Sequence, residues 1–299
     1  MKWQGGEESD NVEDRRGDDG GGGGGGGGGL RPGHMVVGGG TLLIMLVGYF
    51  LGIDPSQFLN QTQGSRDDSR AQTTQVAPVG KNDQAKHFVA TILRYTEKVW
   101  TVEFQKMGKT YEKPKLVMFS NQIDTGCGPA SSDMGPFYCP EDRTVYLDPA
   151  FFDELSQRLG GSKAEFSQAY VIAHEVGHHV QQLLGFEKII EEKRRSLSKT
   201  EFNRWSVRLE LQADYLAGVW AHYGQEEFHF IETGDVEEAL KSANAIGDDT
   251  LQRKFNGRTS PQNYTHGTSA QRVKWYKKGL DTGDFSQLKV IFELPYEQL

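Results

Sequence analysis

His174 and His178 stand four residues apart, with Glu175 between them, in a stretch that is otherwise apolar (Ala169, Tyr170, Val171, Ile172, Ala173, Val176, Val180). On a helix, residues i and i+4 project from one face a turn apart, so both imidazoles reach one metal ion. Glu175 lies one residue past the first histidine, where it can act as general base toward a metal-activated water without ligating the ion. A Glu buried between two His in an apolar helix is costly unless a metal or water satisfies it. Two ordinary core or surface histidines would leave that cost unmet.

Two histidines leave a catalytic zinc site one protein ligand short. The pattern H-E-x-x-H-x-x-G-x-x-H is excluded, because Gln181 and Leu184 occupy its Gly and third His positions. A later segment offers Glu210 and Asp214, again i and i+4. One carboxylate can ligate while the other accepts the remaining ring N–H of a ligating histidine. Phe202, Trp205, Leu209, Leu216 and Trp220 mark this helix as packed, not as a solvated acidic face. His222 and His229 are reserve ligands, and His179 faces another side of its helix.

These residues need a domain to hold them. Apolar spacing predicts a helix over 83–107 (Phe88, Ile92, Tyr95, Val99, Phe104) and short strands at 115–119 and 143–147. Asp148-Pro149 starts a further helix that Gly160-Gly161 stops. Helices are expected over 163–184, 201–223 behind a Ser198-x-x-Glu201 capping box, 235–246 and 269–279. Residues 81–299 therefore read as one α+β domain. Cys127 and Cys139 flank a loop rich in Gly and Pro. A disulfide there would contribute about 3 kcal/mol and would place the domain in an oxidising compartment.

The N-terminal part reads differently. Residues 1–34 combine acidic side chains with an unbroken run from Gly20 to Gly29, the composition of a disordered tail. Residues 35–53 carry no charge and, as a helix, would cover roughly 28 Å, the length of a transmembrane span. Residues 54–80 are polar and aperiodic, a flexible tether. Lys2, Arg15, Arg16 and Arg31 precede the span, against Arg66 and Arg70 after it, so the N-terminus is expected on the cytoplasmic side. A net charge of −8 without a basic stripe argues against nucleic acid as a partner.

The His-Glu-x-x-His motif followed by Glu210-x-x-Ala213-Asp214 resembles the gluzincin branch of zinc metallopeptidases. The whole chain, from Gly-rich head to cysteine loop, is similar to the bacterial putative neutral zinc metallopeptidase family. The resemblance implies a zincin-like α+β domain, mostly helical with a small sheet, preceded by one transmembrane helix. It implies Zn2+ held by His174, His178 and Glu210, with Glu175 as base and Asp214 orienting a ligating histidine. The segment Thr265-His266-Gly267, ahead of Arg272, resembles the His-containing segment that follows the third ligand in membrane-bound relatives. His266 or Arg272 could there hold the oxyanion of a tetrahedral intermediate, although a helix-cap segment with a surface histidine fits as well.

The expected function is a membrane-anchored zinc peptidase of the bacterial inner membrane, its catalytic domain facing the periplasm or exterior and acting on a peptide or protein. The Arg143–Leu147 strand is a candidate to pair with an extended substrate. The alternative is a non-catalytic zinc-binding envelope protein with a structural or partner-binding role. Glu175 separates the two, because structural zinc has no use for a base.

Overall fold

The computed structural model describes residues 1–17 and 83–299. In chain order its elements are β1 (Val12–Asp14), α1 (Gln84–Lys106), β2 (Lys115–Met118), β3 (Gln122–Thr125), β4 (Gly128–Ser131), β5 (Phe137–Cys139) and β6 (Thr144–Leu147). There follow α2 (Ala150–Glu154), extended by a wide turn to Leu159, α3 (Glu165–Leu184), α4 (Phe186–Ser196), α5 (Lys199–Phe228) and α6 (Asp235–Ala245). The chain ends with α7 (Asp248–Asn256), α8 (Ser269–Thr282) and α9 (Gln287–Glu293).

Local chemistry sets these boundaries. The Asp83 side chain accepts from the amides of Ala85 and Lys86 and starts α1. Reciprocal Ser198–Glu201 and Thr268–Gln271 boxes start α5 and α8. Helix α3 stops at Gly185, whose φ of 84° suits a residue without a Cβ, and α4 begins directly after it. Both α3 and the middle of α5 are buried on nearly every side, so they form the centre of the helical layer.

A four-stranded sheet in the order β1-β2-β6-β5 packs beside these helices. Strands β1, β2 and β6 run parallel, β5 runs antiparallel to β6, and α1 supplies the crossover from β1 to β2. Alternation splits the sheet's residues between two clusters. Leu116, Met118, Val145 and Leu147 join the main core, whereas Val117, Phe137, Cys139 and Tyr146 join a smaller one with Phe119, Ile123 and Ala130. A disulfide joins Cys127 to Cys139 within that smaller cluster, at a Cα–Cα distance of 5.9 Å.

Three expectations need correction. The first seventeen residues are not a disordered tail. Trp3 is buried edge-on against Phe88 at 5.3 Å, and the Lys2 amide donates to the Phe230 carbonyl at 2.8 Å. The Met1 amine pairs with Glu232 and Asp235, each at 3.2 Å, and β1 completes the sheet. Residues 18–34 of that tail, the expected span 35–53 and the expected tether 54–80 lie outside the described residues.

The single-pass architecture does not hold either. Among the described residues no helix is long and apolar enough to cross a membrane. A single crossing between residues 17 and 83 would also put β1 and β2 on opposite sides of a bilayer, yet Val12 lies opposite Leu116 in one sheet. The inner-membrane localisation, with N-terminus and domain on opposite sides, falls with it. The described architecture is a mostly helical domain with two small sheets. Finally, β6 cannot receive a substrate strand, because β2 and β5 already flank it. Among the described residues the edge strands of this sheet are β1 and β5.

If residues 1–17 are structural, Trp3→Ala should lower the unfolding free energy by about 3 kcal/mol, as expected for emptying a buried tryptophan site. Denaturant titration of the full chain measures this. A change within about 0.5 kcal/mol would return the segment to the status of a loose tail.

Candidate metal centre

Helices α3 and α5 approach closely at Gly177, where an added Cβ would lie 3.0 Å from the Ala213 carbonyl oxygen. This contact sets two turns of α3 opposite two turns of α5. His174 Nε2 is 3.3 Å from Glu210 Oε2, and His178 Nε2 is 3.6 Å from Glu210 Oε1. One ligand atom from each of the three residues lies within 4.8 Å of the others, and all three residues are buried.

The far sides of both rings are occupied. His174 Nδ1 is 2.9 Å from Asp214 Oδ1, and His178 Nδ1 is 2.8 Å from Gln181 Oε1. Gln181 donates its Nε2–H to the Leu209 carbonyl at 2.7 Å, which fixes its oxygen toward His178. Carboxylate and amide oxygens only accept, so each Nδ1 carries a proton and each Nε2 is the atom turned on the Glu210 carboxylate. At these distances each Nε2 facing the carboxylate is satisfied by a proton of its own or by a cation held between them. Burial opposes charge on His174, but Asp214 and Glu210 prevail and push its pKa up to about 10. Against the same cost Glu210 raises the pKa of His178, while His178 and His266 hold Glu210 well below the usual carboxylate range. Two imidazole nitrogens and one carboxylate oxygen, buried and attracting positive charge, are a donor set that fits zinc.

Asp214 has no exposed surface. It accepts from Tyr170 Oη at 2.6 Å and from Arg272 Nε at 2.8 Å and Nη2 at 2.9 Å, in addition to the His174 ring. Burial pushes its pKa up, but Arg272 and His174 outweigh that and hold it at about 2. Arg272 is thereby committed to Asp214, which is where the oxyanion role considered for it meets an obstacle. The reach of Arg272 depends on a close crossing of α5 and α8, where a Cβ on Gly279 would fall 2.1 Å from the Tyr215 carbonyl oxygen.

His266 borders the same cavity as His174, Glu175, His178 and Glu210. Its turn is pinned by Asp248, which accepts from the amides of Thr265, His266 and Gly267 at 2.7, 2.7 and 2.9 Å. Asp248 Oδ1 is also 3.4 Å from His266 Nδ1. Burial raises the pKa of the Glu175 carboxyl above its ordinary value, and the two neighbouring histidines oppose the rise. The cavity continues over an apolar floor of Leu159, Val171, Ile246, Leu251 and Phe255, and residues 133–138 form the facing wall. His222 and His229 lie elsewhere. His222 Nδ1 contacts the Leu280 carbonyl at 2.8 Å, and His229 caps the end of α5.

Tyr170, Gln181, Asp248 and the 133–138 wall are the site features that sequence reasoning missed. Gln181 had a signal, since it follows His178 by three residues on the same helix face. Asp248 had none beyond its place at a helix start.

The chain matches the model of the family described as "Putative neutral zinc metallopeptidase" over residues 1–291. It belongs to that family. Its relatives include the uncharacterized protein YpfJ of Escherichia coli strain K12, 49% identical over 287 residues that cover 96% of this chain and 97% of the relative. The uncharacterized protein Rv2575 of Mycobacterium tuberculosis is 38% identical over 243 residues, 78% of this chain and 81% of the relative. No solved structure matches the chain. As a member of the zinc metallopeptidase family, this chain carries its His-His-Glu cluster on two buried helices that meet at Gly177.

Two outcomes follow from the charges packed here. Asp214→Asn strips Arg272 of a buried counter-charge, so unfolding stability should fall by about 3–5 kcal/mol. It also weakens the hold on His174, so zinc affinity should fall about 10–100-fold; calorimetric titration and denaturant unfolding measure the two effects. Burial holds His179 neutral and lowers its pKa to about 4, with Nε2 2.6 Å from the Glu112 carbonyl. The unfolded chain, with a histidine near 6.5, binds that proton first, so stability is full above about 6.5 and drains as pH falls toward 4. His179→Gln should remove up to about 3 kcal/mol of that pH dependence, and an unchanged stability–pH slope would show that His179 is not its source.

Proposed function

We propose that this chain is a zinc-dependent peptidase that hydrolyses peptide bonds with a metal-activated water. One observation carries the reading: the His174–His178–Glu210 donor cluster opens into the cavity that Glu175 and His266 also border. When bound, zinc would polarise the scissile carbonyl and bring the pKa of water toward about 7. His174, His178 and Glu210 would hold it, with Asp214 and Gln181 keeping both rings in the ligating tautomer.

Glu175 takes a proton from the attacking water and returns it to the leaving amine. Its buried position favours this, since a carboxyl with a raised pKa is a better proton carrier near neutral pH. His266, lining the same cavity as Glu210 and braced by Asp248, is the group suited to donate to the developing oxyanion. An extended peptide can lie against the edge strand β5, with one apolar side chain over the floor formed by Val171, Ile246 and Phe255. A non-catalytic zinc protein would need neither Glu175 nor a histidine braced opposite the ligands.

Glu175→Gln should keep zinc at one equivalent while peptide hydrolysis falls about 10²–10⁴-fold. His174→Ala, His178→Ala and Glu210→Ala should each lose the metal, because two protein ligands leave an incomplete site. Metal analysis of the purified full chain and hydrolysis of a peptide library test both. The base assignment fails if Glu175→Gln keeps most of the parent activity.

A further inference from the structure

Residues 133–137 of the cavity wall and the metal ligands are held by different parts of the molecule. His174, His178 and Glu210 sit on α3 and α5, whose side chains fill the main core. The facing wall, Asp133–Tyr138, lies inside the loop that the Cys127–Cys139 disulfide closes. Cys127 is at the turn of the β3–β4 hairpin and Cys139 ends β5, an edge strand of the larger sheet.

Only Tyr138, at the end of the wall, reaches the main core. The apolar support of the rest is the smaller cluster of Ile123, Ala130, Phe137 and their neighbours on the outer face of the sheet. The wall's other polar ties are at its base. Ser132 binds Asp148 and the Asn121 carbonyl, and the Gly126 amide donates to Asp142 at 2.7 Å. Beyond Gly135, which turns the chain at φ 72°, Phe137 stacks on Tyr146 and the chain joins the three-residue ladder of β5 on β6. Tyr138 reaches the main core with its hydroxyl on His179 and Gln182 of α3, and the cross-link closes the loop one residue later. A cluster this small cannot by itself hold a segment in one place, and in such units a disulfide supplies the missing constraint.

We propose that the Cys127–Cys139 disulfide is a positioning element of the peptide-binding wall, holding residues 133–137 at the cavity beyond the Tyr138 anchor, while the main core holds the metal ligands. The inference rests on the peptidase reading. Opening the bond leaves the metal site formed but lets the wall move, so a peptide loses its support while a small ligand of the metal does not.

The test compares the zinc-loaded full chain with the Cys127→Ala/Cys139→Ala variant. The parent reduced by a phosphine, with two thiols counted, gives the same comparison without substitution. Zinc content and affinity for acetohydroxamate should agree within twofold across all three. A peptidyl hydroxamate should bind at least tenfold more weakly without the bond, and KM for a cleaved peptide should rise more than kcat falls. Amide exchange should quicken in residues 128–138 and stay unchanged in residues 165–184, and reoxidation of the reduced parent should restore both. Equal peptidyl hydroxamate affinity and equal exchange with and without the bond would overturn the inference. A parent chain that binds zinc and acetohydroxamate but neither binds nor cleaves peptides would instead sink the peptidase reading, with exchange in residues 128–138 still deciding whether the bond orders the wall.

Discussion

Asp214 is a carboxylate with no contact to solvent, and the arrangement around it follows from what that burial demands. A buried charge is tolerated only when paired and fully hydrogen-bonded. Arg272 supplies the counter-charge from α8, Tyr170 a hydroxyl from α3, and the His174 ring a further donor. Three helices are thereby fixed against one another at a single side chain. The orientation of His174 is a consequence of that fixation, so the geometry of the metal cluster is inherited from an ion pair that does not touch the metal position.

That pairing is possible only where backbones approach closely. Gly177 lets α3 reach α5, while Gly218 and Gly279 let α5 reach α8; any Cβ at the last two would strike main-chain atoms. Ridge-and-groove packing of larger side chains holds helix axes about 8–10 Å apart, so small residues at the crossings decide whether Arg272 can span the gap. The sheet has a different task. It anchors the N-terminal segment through β1 on one side and carries a wall of the cavity through β5 on the other.

The site was more legible in the sequence than the fold around it. His174, Glu175 and His178 announce themselves because helical periodicity puts the two imidazoles together, and Glu210 and Asp214 repeat the same spacing. Gln181 escaped notice because a neutral amide in a helix has many uses, and its role appears only when the Leu209 carbonyl comes within reach from another helix. The charged stretch Glu191–Lys199 lies mostly in α4, so the long spacing between His178 and Glu210 is a helical detour. Residues 1–17 were misread because acidic composition and the glycine run beyond them masked Trp3 and Val12, whose burial depends on α1 and β2 far along the chain. Strand β5 has only three residues, too few for alternation to register.

The two imidazoles of the candidate metal cluster receive unlike support, and this bears on how the cluster balances charge. Asp214 behind His174 is cancelled by Arg272, and Gln181 behind His178 is neutral, so neither adds net negative charge to the metal position. The acidic groups left beside the metal position are Glu210 and Glu175. A divalent cation would neutralise both in a region where either alone is expensive to bury. Had Asp214 lacked its arginine, the added negative charge would strengthen the hold on the cation but raise the pKa of its water, working against attack near neutral pH. A carboxylate already paired with Arg272 keeps His174 in the ligating tautomer without that penalty, which explains why so strong a cation as Arg272 lies beside a site that must attract another.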